Sequence, residues 1–263
     1  MDTPPDSTSA AYLLVTHGSR DPRPEVAAKA LAKRVFKKLS DRSEAPLLVE
    51  TAALELQPQP LHQQIQQFTD LAVGQNIRIV RVVPLFLLPG VHVMEDIPAE
   101  VELANRAIDN IYNVELSIQP HLGSHPGIIE LLANGALDGV CESPKAQILL
   151  SHGSRRPGGN QPIEKITDRL HRRCQIPVVA AYWSVEPNAE LRVCELVAAG
   201  CDRIRILPYF LFPGGITDAI AKQVDRLRNQ FSQTALHLAQ PIGVSDELAA
   251  LVSDLADLNI GAA

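Results

Sequence analysis

The sequence predicts an α/β protein of two tandem domains, each with a mainly parallel four-stranded sheet between layers of helix. Short apolar runs alternate with longer amphipathic stretches along the chain, which is the pattern of β-α-β units. The same motifs also recur in the same order in each half. A length of 263 residues allows two domains, each with its own core.

The first half alternates four candidate strands with four candidate helices. In the first of these helices, Val26, Ala30, Leu31, Val35 and Leu39 recur at helical spacing. The strands are predicted at Tyr12–Thr16, Leu47–Leu54, Ile77–Phe86 and Val114–Gln119. The helices are predicted at Glu25–Leu39, Leu61–Val73, Ile97–Ile108 and Gly127–Leu137.

The second half repeats this order. Its strands are predicted at Ala146–Leu150, Val178–Tyr182, Arg203–Phe210 and Ala235–Ala239, and its helices at Pro162–Arg173, Ala189–Ala199, Thr217–Phe231 and Asp246–Leu255. THGSR at 16–20 corresponds to SHGSR at 151–155, and VVPLFLLPG at 82–90 to ILPYFLFPG at 206–214. We therefore predict an internal duplication with domains at 10–140 and 145–260, separated within Gly139–Lys145.

Composition excludes several classes of protein. The net charge of −6 argues against a nucleic-acid-binding protein, which usually carries a basic surface. No run approaches ~18 consecutive apolar residues, so no transmembrane helix is expected. The polar N-terminus has no signal-peptide pattern. The cysteines Cys141, Cys174, Cys194 and Cys201 form no CxxC pair, and we expect buried free thiols in a cytoplasmic protein.

Three polar side chains are predicted at neighbouring strand ends of the first half. His17 ends the first strand, Glu55 the second, and His92 lies just past the third. Ligands of open parallel sheets bind outside the carboxyl ends of the strands, so these side chains should converge on one cleft. Two imidazoles and a carboxylate suit Co²⁺, Fe²⁺, Ni²⁺ or Zn²⁺, and imidazole also accepts protons near neutral pH.

The turn after the first strand carries Ser19, Arg20 and Arg23 beside His17. We predict that the two arginines bind carboxylates of a ligand, although two solvated surface arginines fit the pattern equally well. His121 and His125 lie near the fourth strand end and are weaker candidates.

The second half retains this turn without the other polar groups. His152 corresponds to His17, whereas alignment places Trp183 opposite Glu55 and Ile216 opposite His92. Ser245 likewise stands opposite His125. We therefore predict a single active site, in the first domain, and a degenerate copy in the second.

Four segments resemble the sirohydrochlorin chelatases, the class II chelatases of the CbiX and SirB type. They are LLVTHGSRDP, ALELQPQPL, VVPLFLLPGVHVMEDIP and PHLGSHPGI, and the resemblance spans about residues 11–231 in the two-domain form. It implies tandem chelatase-like domains of the Rossmann or flavodoxin class. It also implies ATP-independent insertion of Co²⁺ or Fe²⁺ into sirohydrochlorin, leading to cobalamin or sirohaem, with no permanently bound cofactor.

Carried over by position, the resemblance makes His17 and His92 metal ligands and, together with Glu55, catalytic residues. Ser19, Arg20 and Arg23 would bind the tetrapyrrole. Asp96 matches the family's H-x-x-x-D segment and either orients His92 or serves as a charge at the start of the next helix. Because one chain supplies both halves, we expect a monomer.

The sequence leaves other functions open. A phosphatase of the histidine-phosphatase type needs an arginine beside the histidine, where this chain has Thr16 and Ser151. A non-catalytic carrier of metal or tetrapyrrole would use the same ligands. Nickel is a further candidate metal, because ligand type alone does not separate it from cobalt or iron.

Overall fold

The computed structural model describes residues 9–109, 111–135 and 143–258. The strands are β1 Ala10–Thr16, β2 Leu47–Ala53, β3 Ile79–Pro84, β4 Glu115–Ile118, β5 Ala146–Ser151, β6 Val178–Tyr182, β7 Arg203–Pro208 and β8 Ala235–Leu238. The helices are α1 Pro22–Ser40, α2 Leu61–Gly74, α3 Ile97–Ile108, α4 Ile128–Gly135, α5 Gln161–Cys174, α6 Ala189–Ala198, α7 Gly215–Gln230 and α8 Asp246–Ala256. One turn of π-helix, His92–Asp96, which we call the π-turn, precedes α3, and a 3₁₀ turn, Leu122–Ser124, follows β4.

Two parallel four-stranded sheets confirm the predicted fold class. The first has the order β2-β1-β3-β4 and the second β6-β5-β7-β8. In the first sheet Thr16 pairs with Ala53, and Val15 pairs with Pro84, so β1, β2 and β3 end at one edge. The residues that follow these strands therefore enter the same region of the molecule.

Strand β1 is a run of apolar residues because both of its faces are covered. Ala11, Leu14 and Val15 have no exposed surface. Parallel strands buried on both faces lose the alternation of polar and apolar residues. The central strand is therefore a rigid base for the histidine turn that follows it.

Helix α1 begins at Pro22, three residues earlier than predicted. The carboxylate of Asp21 accepts a hydrogen bond from the Arg23 backbone N–H at 3.0 Å and thereby caps the helix. Proline at the first helical position has no N–H to leave unpaired. The helix start is thus fixed close to His17.

The compact units of the structure differ from the predicted domains, 10–140 and 145–260, in the placement of the last helix of each half. One unit comprises Met1–His125 with Val244–Ala263, and the other is the continuous segment Pro126–Gly243. Helix α8 therefore belongs with the first sheet and α4 with the second. The repeat pattern could not predict this, because both sheets need the same kind of amphipathic helix.

Ion pairs and a hydrogen bond connect helix α8 to the rest of its unit. Arg34 pairs with Asp246 at 2.5 Å, and Arg42 with Asp254 at 2.7 Å. The buried Tyr12 hydroxyl donates to Asp257, one residue past the helix, at 2.8 Å. Burial is the main cause of the raised pKa of Tyr12. In the other unit, Arg173 of α5 binds Glu130 of α4 at 2.8 Å.

Several smaller predictions are modified. Cys174, Cys194 and Cys201 are free thiols but half-buried rather than buried. Three predictions concern positions outside the described residues. They are those for Cys141, for the end of the fourth helix at Leu137 and for most of the boundary Gly139–Lys145. None of the helices described combines the length and the apolarity that crossing a membrane requires.

Candidate metal centre at the strand ends

His17, Glu55 and His92 come together at the carboxyl edge of the first sheet. Each offers one ligand atom, and these three atoms all lie within 4.8 Å of one another. The two imidazole rings stand edge to face, with centroids 4.7 Å apart and an interplanar angle of 87°. Within the part of the chain that is described, this is the one cluster of three or more such residues able to hold a metal ion.

Gly18 brings the His17 turn against the loop that follows β2. Its φ of +98° is a conformation that residues with a side chain rarely adopt, and a Cβ there would lie 2.0 Å from the Glu55 carbonyl oxygen. The Glu55 backbone N–H also donates to the His17 carbonyl oxygen at 2.9 Å. The close backbone contact that holds these two residues together therefore requires glycine.

Gln64 of α2 fixes the end of β2 from the other side. Its side-chain oxygen accepts from the Ala53 N–H at 3.1 Å, and its nitrogen donates to the Ala53 carbonyl at 2.8 Å and the Gln59 carbonyl at 3.0 Å. Leu56, next to Glu55, has a φ of +59°, which is unusual for a leucine. The loop carrying Glu55 is thus held in a strained conformation by its neighbours.

His92 lies at the start of the π-turn, where it contacts Asp96. Its Nδ1 is 2.7 Å from the Asp96 Oδ2, which leaves Nε2 as the nitrogen available to a metal. The Phe86 ring lies beside both imidazoles, with centroids 6.4 Å from His17 and 6.2 Å from His92. One side of the cluster is therefore apolar.

The predicted substrate-binding residues differ in whether they already have a hydrogen bond or an ion pair within the protein. Arg23 pairs with Asp21 at 2.6 Å, and its hydrogen bonds lower the pKa of that carboxyl to about 2. The Ser19 hydroxyl accepts from the Asp21 backbone N–H at 3.0 Å. Arg20 is exposed and has no hydrogen bond or ion pair among the residues described. Of the two arginines, Arg20 therefore offers its guanidinium to an anion without first breaking an ion pair.

The remaining histidines of the first unit have other contacts. His121 Nδ1 lies 3.0 Å from the Phe86 carbonyl oxygen, and His125 Nε2 lies 3.9 Å from Asp254. His62 Nδ1 lies 2.9 Å from the Glu100 Oε2. None of these three belongs to the cluster of His17, Glu55 and His92.

Comparison with known proteins places the chain in a family. The CbiX family model matches residues 11–138 and 146–257, which together cover most of the sequence. The chain belongs to the CbiX family. Two matched segments within one CbiX chain confirm the internal duplication.

Several relatives resemble this CbiX chain over most of its length. It is 26% identical over 254 residues to a sirohydrochlorin cobaltochelatase of Priestia megaterium, covering 94% of this chain and 79% of the relative. It is also 26% identical to a sirohydrochlorin ferrochelatase of Bacillus subtilis (strain 168), covering 83% and 80%. The structure of SirB from Bacillus subtilis with Fe³⁺ has a TM-score of 0.74 at 24% identity and 94% coverage of both chains.

The second CbiX repeat keeps the histidine turn without counterparts of the other two candidate ligands. Ser151 pairs with Tyr182 as Thr16 pairs with Ala53, and the Ser184 N–H donates to the His152 carbonyl at 2.9 Å. Ser184 therefore occupies the position of Glu55, and the alignment that placed Trp183 there was wrong by one residue. The error arose because strand pairing, rather than sequence similarity, sets the register.

Proposed function

We propose that this CbiX chain inserts a divalent metal, Co²⁺ or Fe²⁺, into sirohydrochlorin without ATP. The observation that carries the proposal is the convergence of His17, Glu55 and His92 at the sheet edge of a CbiX-family chain. Similar relatives are named sirohydrochlorin cobaltochelatase and sirohydrochlorin ferrochelatase, and SirB structures of similar fold contain Fe³⁺ or cobalt. The metal is a substrate of this reaction.

The proposed reaction needs a metal held above the macrocycle and a base for two pyrrolic protons. His17 and His92 would bind the incoming metal through neutral imidazole nitrogens, which are good ligands for these borderline cations. Glu55 would offset part of the positive charge of the metal. When the metal passes into the ring, a released imidazole can accept a pyrrolic proton near neutral pH.

The substrate combines carboxylates with an apolar macrocycle, and the residues around the cluster fit both. We assign Arg20, Arg23 and Ser19 to the carboxylates, with Arg20 as the principal cation. Leu56 and Met94 are close in sequence to Glu55 and His92, and they are 52% and 65% exposed. Because these two side chains follow Glu55 and His92 so closely along the chain, we assign them to the apolar macrocycle.

We further propose that the chain acts as a cytoplasmic monomer without a permanently bound cofactor. The first repeat, 10–140, would carry the chemistry, and the second, 145–260, would be a copy without its own metal site. The absence of a second cluster of metal-binding residues among the residues described supports this assignment. A molar mass near 28.6 kDa by light scattering is expected of the purified protein.

The test is anaerobic metallation of sirohydrochlorin, followed by the shift of its visible absorption bands with Co²⁺ and then Fe²⁺. We expect His17→Ala and His92→Ala each to slow metallation about 100-fold or more, because each removes a ligand and a proton acceptor. His152→Ala is the matched control and should retain the wild-type rate. Tight Co²⁺ binding without metallation would overturn the proposal in favour of a carrier.

A further inference from the structure

The two repeats differ by one residue just before their third helices. Gly90 and Gly214 occupy equivalent positions, because each carbonyl accepts from the N–H four residues on, at Met94 and at Asp218. The first fully buried isoleucine then follows seven residues after Gly90, at Ile97, but six residues after Gly214, at Ile220. The first repeat therefore contains one extra residue between the glycine and the helix core.

The π-turn His92–Asp96 accommodates this extra residue. The Ile97 N–H donates to the His92 carbonyl, five residues back, whereas α7 is a continuous α-helix. From the isoleucine onward the buried positions agree, since Ile97, Val101 and Ala104 of α3 match Ile220, Val224 and Leu227 of α7. The widened turn thus inserts a residue without disturbing the packed face of the helix.

The position of Asp96 directly before the buried face of α3 results from this extra residue. It immediately precedes Ile97, the residue that takes the place of buried Ile220, and its side chain is 45% exposed. There it lies 2.7 Å from His92 Nδ1. The helical segment already begins at Val91, and the Asp96 carboxylate makes no capping hydrogen bond to the backbone of α3. A role as the charge at a helix start therefore does not explain it.

We infer that Asp96 is a positioning residue for His92. Its carboxylate accepts a hydrogen bond from Nδ1–H, which fixes the tautomer and leaves the Nε2 lone pair for the metal. Phe86 packs beside the same imidazole, so the ring is restrained by a hydrogen bond and by an apolar contact. This inference rests on the proposed function through the use of His92 as a metal ligand.

The experiment measures Co²⁺ binding by the purified protein in the absence of tetrapyrrole. We expect Asp96→Ala to weaken Co²⁺ binding 10- to 100-fold, the usual effect of removing a residue that orients a metal-binding histidine. Asp96→Asn, which retains an oxygen acceptor without the charge, should fall between Asp96→Ala and the wild type. Glu95→Gln is the matched control, because it removes the neighbouring exposed carboxylate, and it should change affinity less than twofold.

The ¹⁵N NMR spectrum of His92 separates positioning from a merely structural role. In the wild type we expect the tautomer protonated at Nδ1, and in Asp96→Ala a mixture of both tautomers. Unchanged Co²⁺ affinity together with an unchanged tautomer in Asp96→Ala, or in Asp96→Asn should the alanine variant not fold, would overturn the inference. An equal loss in Glu95→Gln would also overturn it.

These results are distinguishable from those for the proposed function. A protein that binds Co²⁺ through His92, with an affinity that falls in Asp96→Ala, but does not metallate sirohydrochlorin would contradict the chelatase activity alone. Metallation by the wild type, together with a Co²⁺ affinity and a His92 tautomer that are both unchanged in Asp96→Ala, would contradict the positioning role alone.

Discussion

Gly18 is the residue on which the geometry of the candidate metal centre depends most directly. Alanine at this position would adopt an unfavourable φ and place its Cβ 2.0 Å from the Glu55 carbonyl oxygen. We expect Gly18→Ala to destabilise the protein by about 3 kcal/mol and to reduce metallation more than tenfold, because Glu55 must move away from His17. Urea unfolding and the metallation assay measure the two effects.

Gly153 provides the matched control in the second repeat. It also has a positive φ, and a Cβ there would approach the Tyr182 Cβ at 2.7 Å. We expect Gly153→Ala to destabilise the protein while metallation by the folded fraction is retained. Equal losses of activity in the two variants would show that the repeats contribute alike to the chemistry.

Sequence reasoning predicted His17, Glu55 and His92 because each follows a strand, and parallel strands end at one edge. It did not resolve the role of Asp96, because a single inserted residue becomes visible only when the buried faces of two helices are compared. It also misplaced Trp183, since strands buried on both faces have no alternation of polar and apolar residues that would reveal a one-residue shift. The ion pair between Arg23 and Asp21 could not be predicted, because it depends on side-chain conformations that the spacing of residues in the sequence does not determine.

At the scale of elements, helix α2 holds the end of β2 in place through Gln64. Replacing Gln64 with leucine would leave the Ala53 N–H and carbonyl groups without their side-chain partner. The expected cost is about 1 to 3 kcal/mol, since buried or half-buried backbone groups are expensive to leave unpaired. Metallation should slow as well, because Glu55 lies two residues beyond Ala53.

Gln67 of the same helix is exposed and serves as the control. We expect Gln67→Leu to change stability by no more than about 0.5 kcal/mol, as is usual for surface substitutions. Thermal unfolding followed by circular dichroism compares the two variants. If Gln64→Leu behaves like Gln67→Leu, the side-chain hydrogen bonds of Gln64 contribute nothing to the strand end.

For the whole molecule, the placement of α8 decides which segments can fold alone. Leu248, Val252 and Leu255 of this helix are buried, which corresponds to about 5 to 9 kcal/mol at the usual value per large apolar side chain. That equals much of the stability of a typical domain. Residues 1–125 alone should therefore be largely unfolded, although they contain the whole first sheet and all three candidate ligands.

Joining His125 to Val244 through a short glycine-serine linker, with 126–243 removed, should restore this unit. We expect that protein to show a cooperative unfolding transition and to bind Co²⁺, whereas residues 1–125 should do neither. Calorimetry and Co²⁺ titration of the two proteins test the assignment. Cooperative folding of residues 1–125 without α8 would contradict it.

The fold class and nearly every element followed from the sequence, because apolar periodicity directly reflects burial in strands and helices. The exchange of α4 and α8 did not, because two sheets of common origin present similar surfaces to either helix. Local pattern specifies that a helix must cover a sheet, and only the tertiary structure specifies which one.

The exchange of α4 and α8 also has an evolutionary consequence. A gene that lost its second repeat would lose the helix that covers the first sheet, and the remaining copy would then be expected to be largely unfolded. Selection for stability would then preserve the second copy although Ser184 and Ile216 stand where the first copy has Glu55 and His92. Mutual dependence for folding would therefore account for the persistence of a repeat in which the described residues form no cluster able to hold a metal ion.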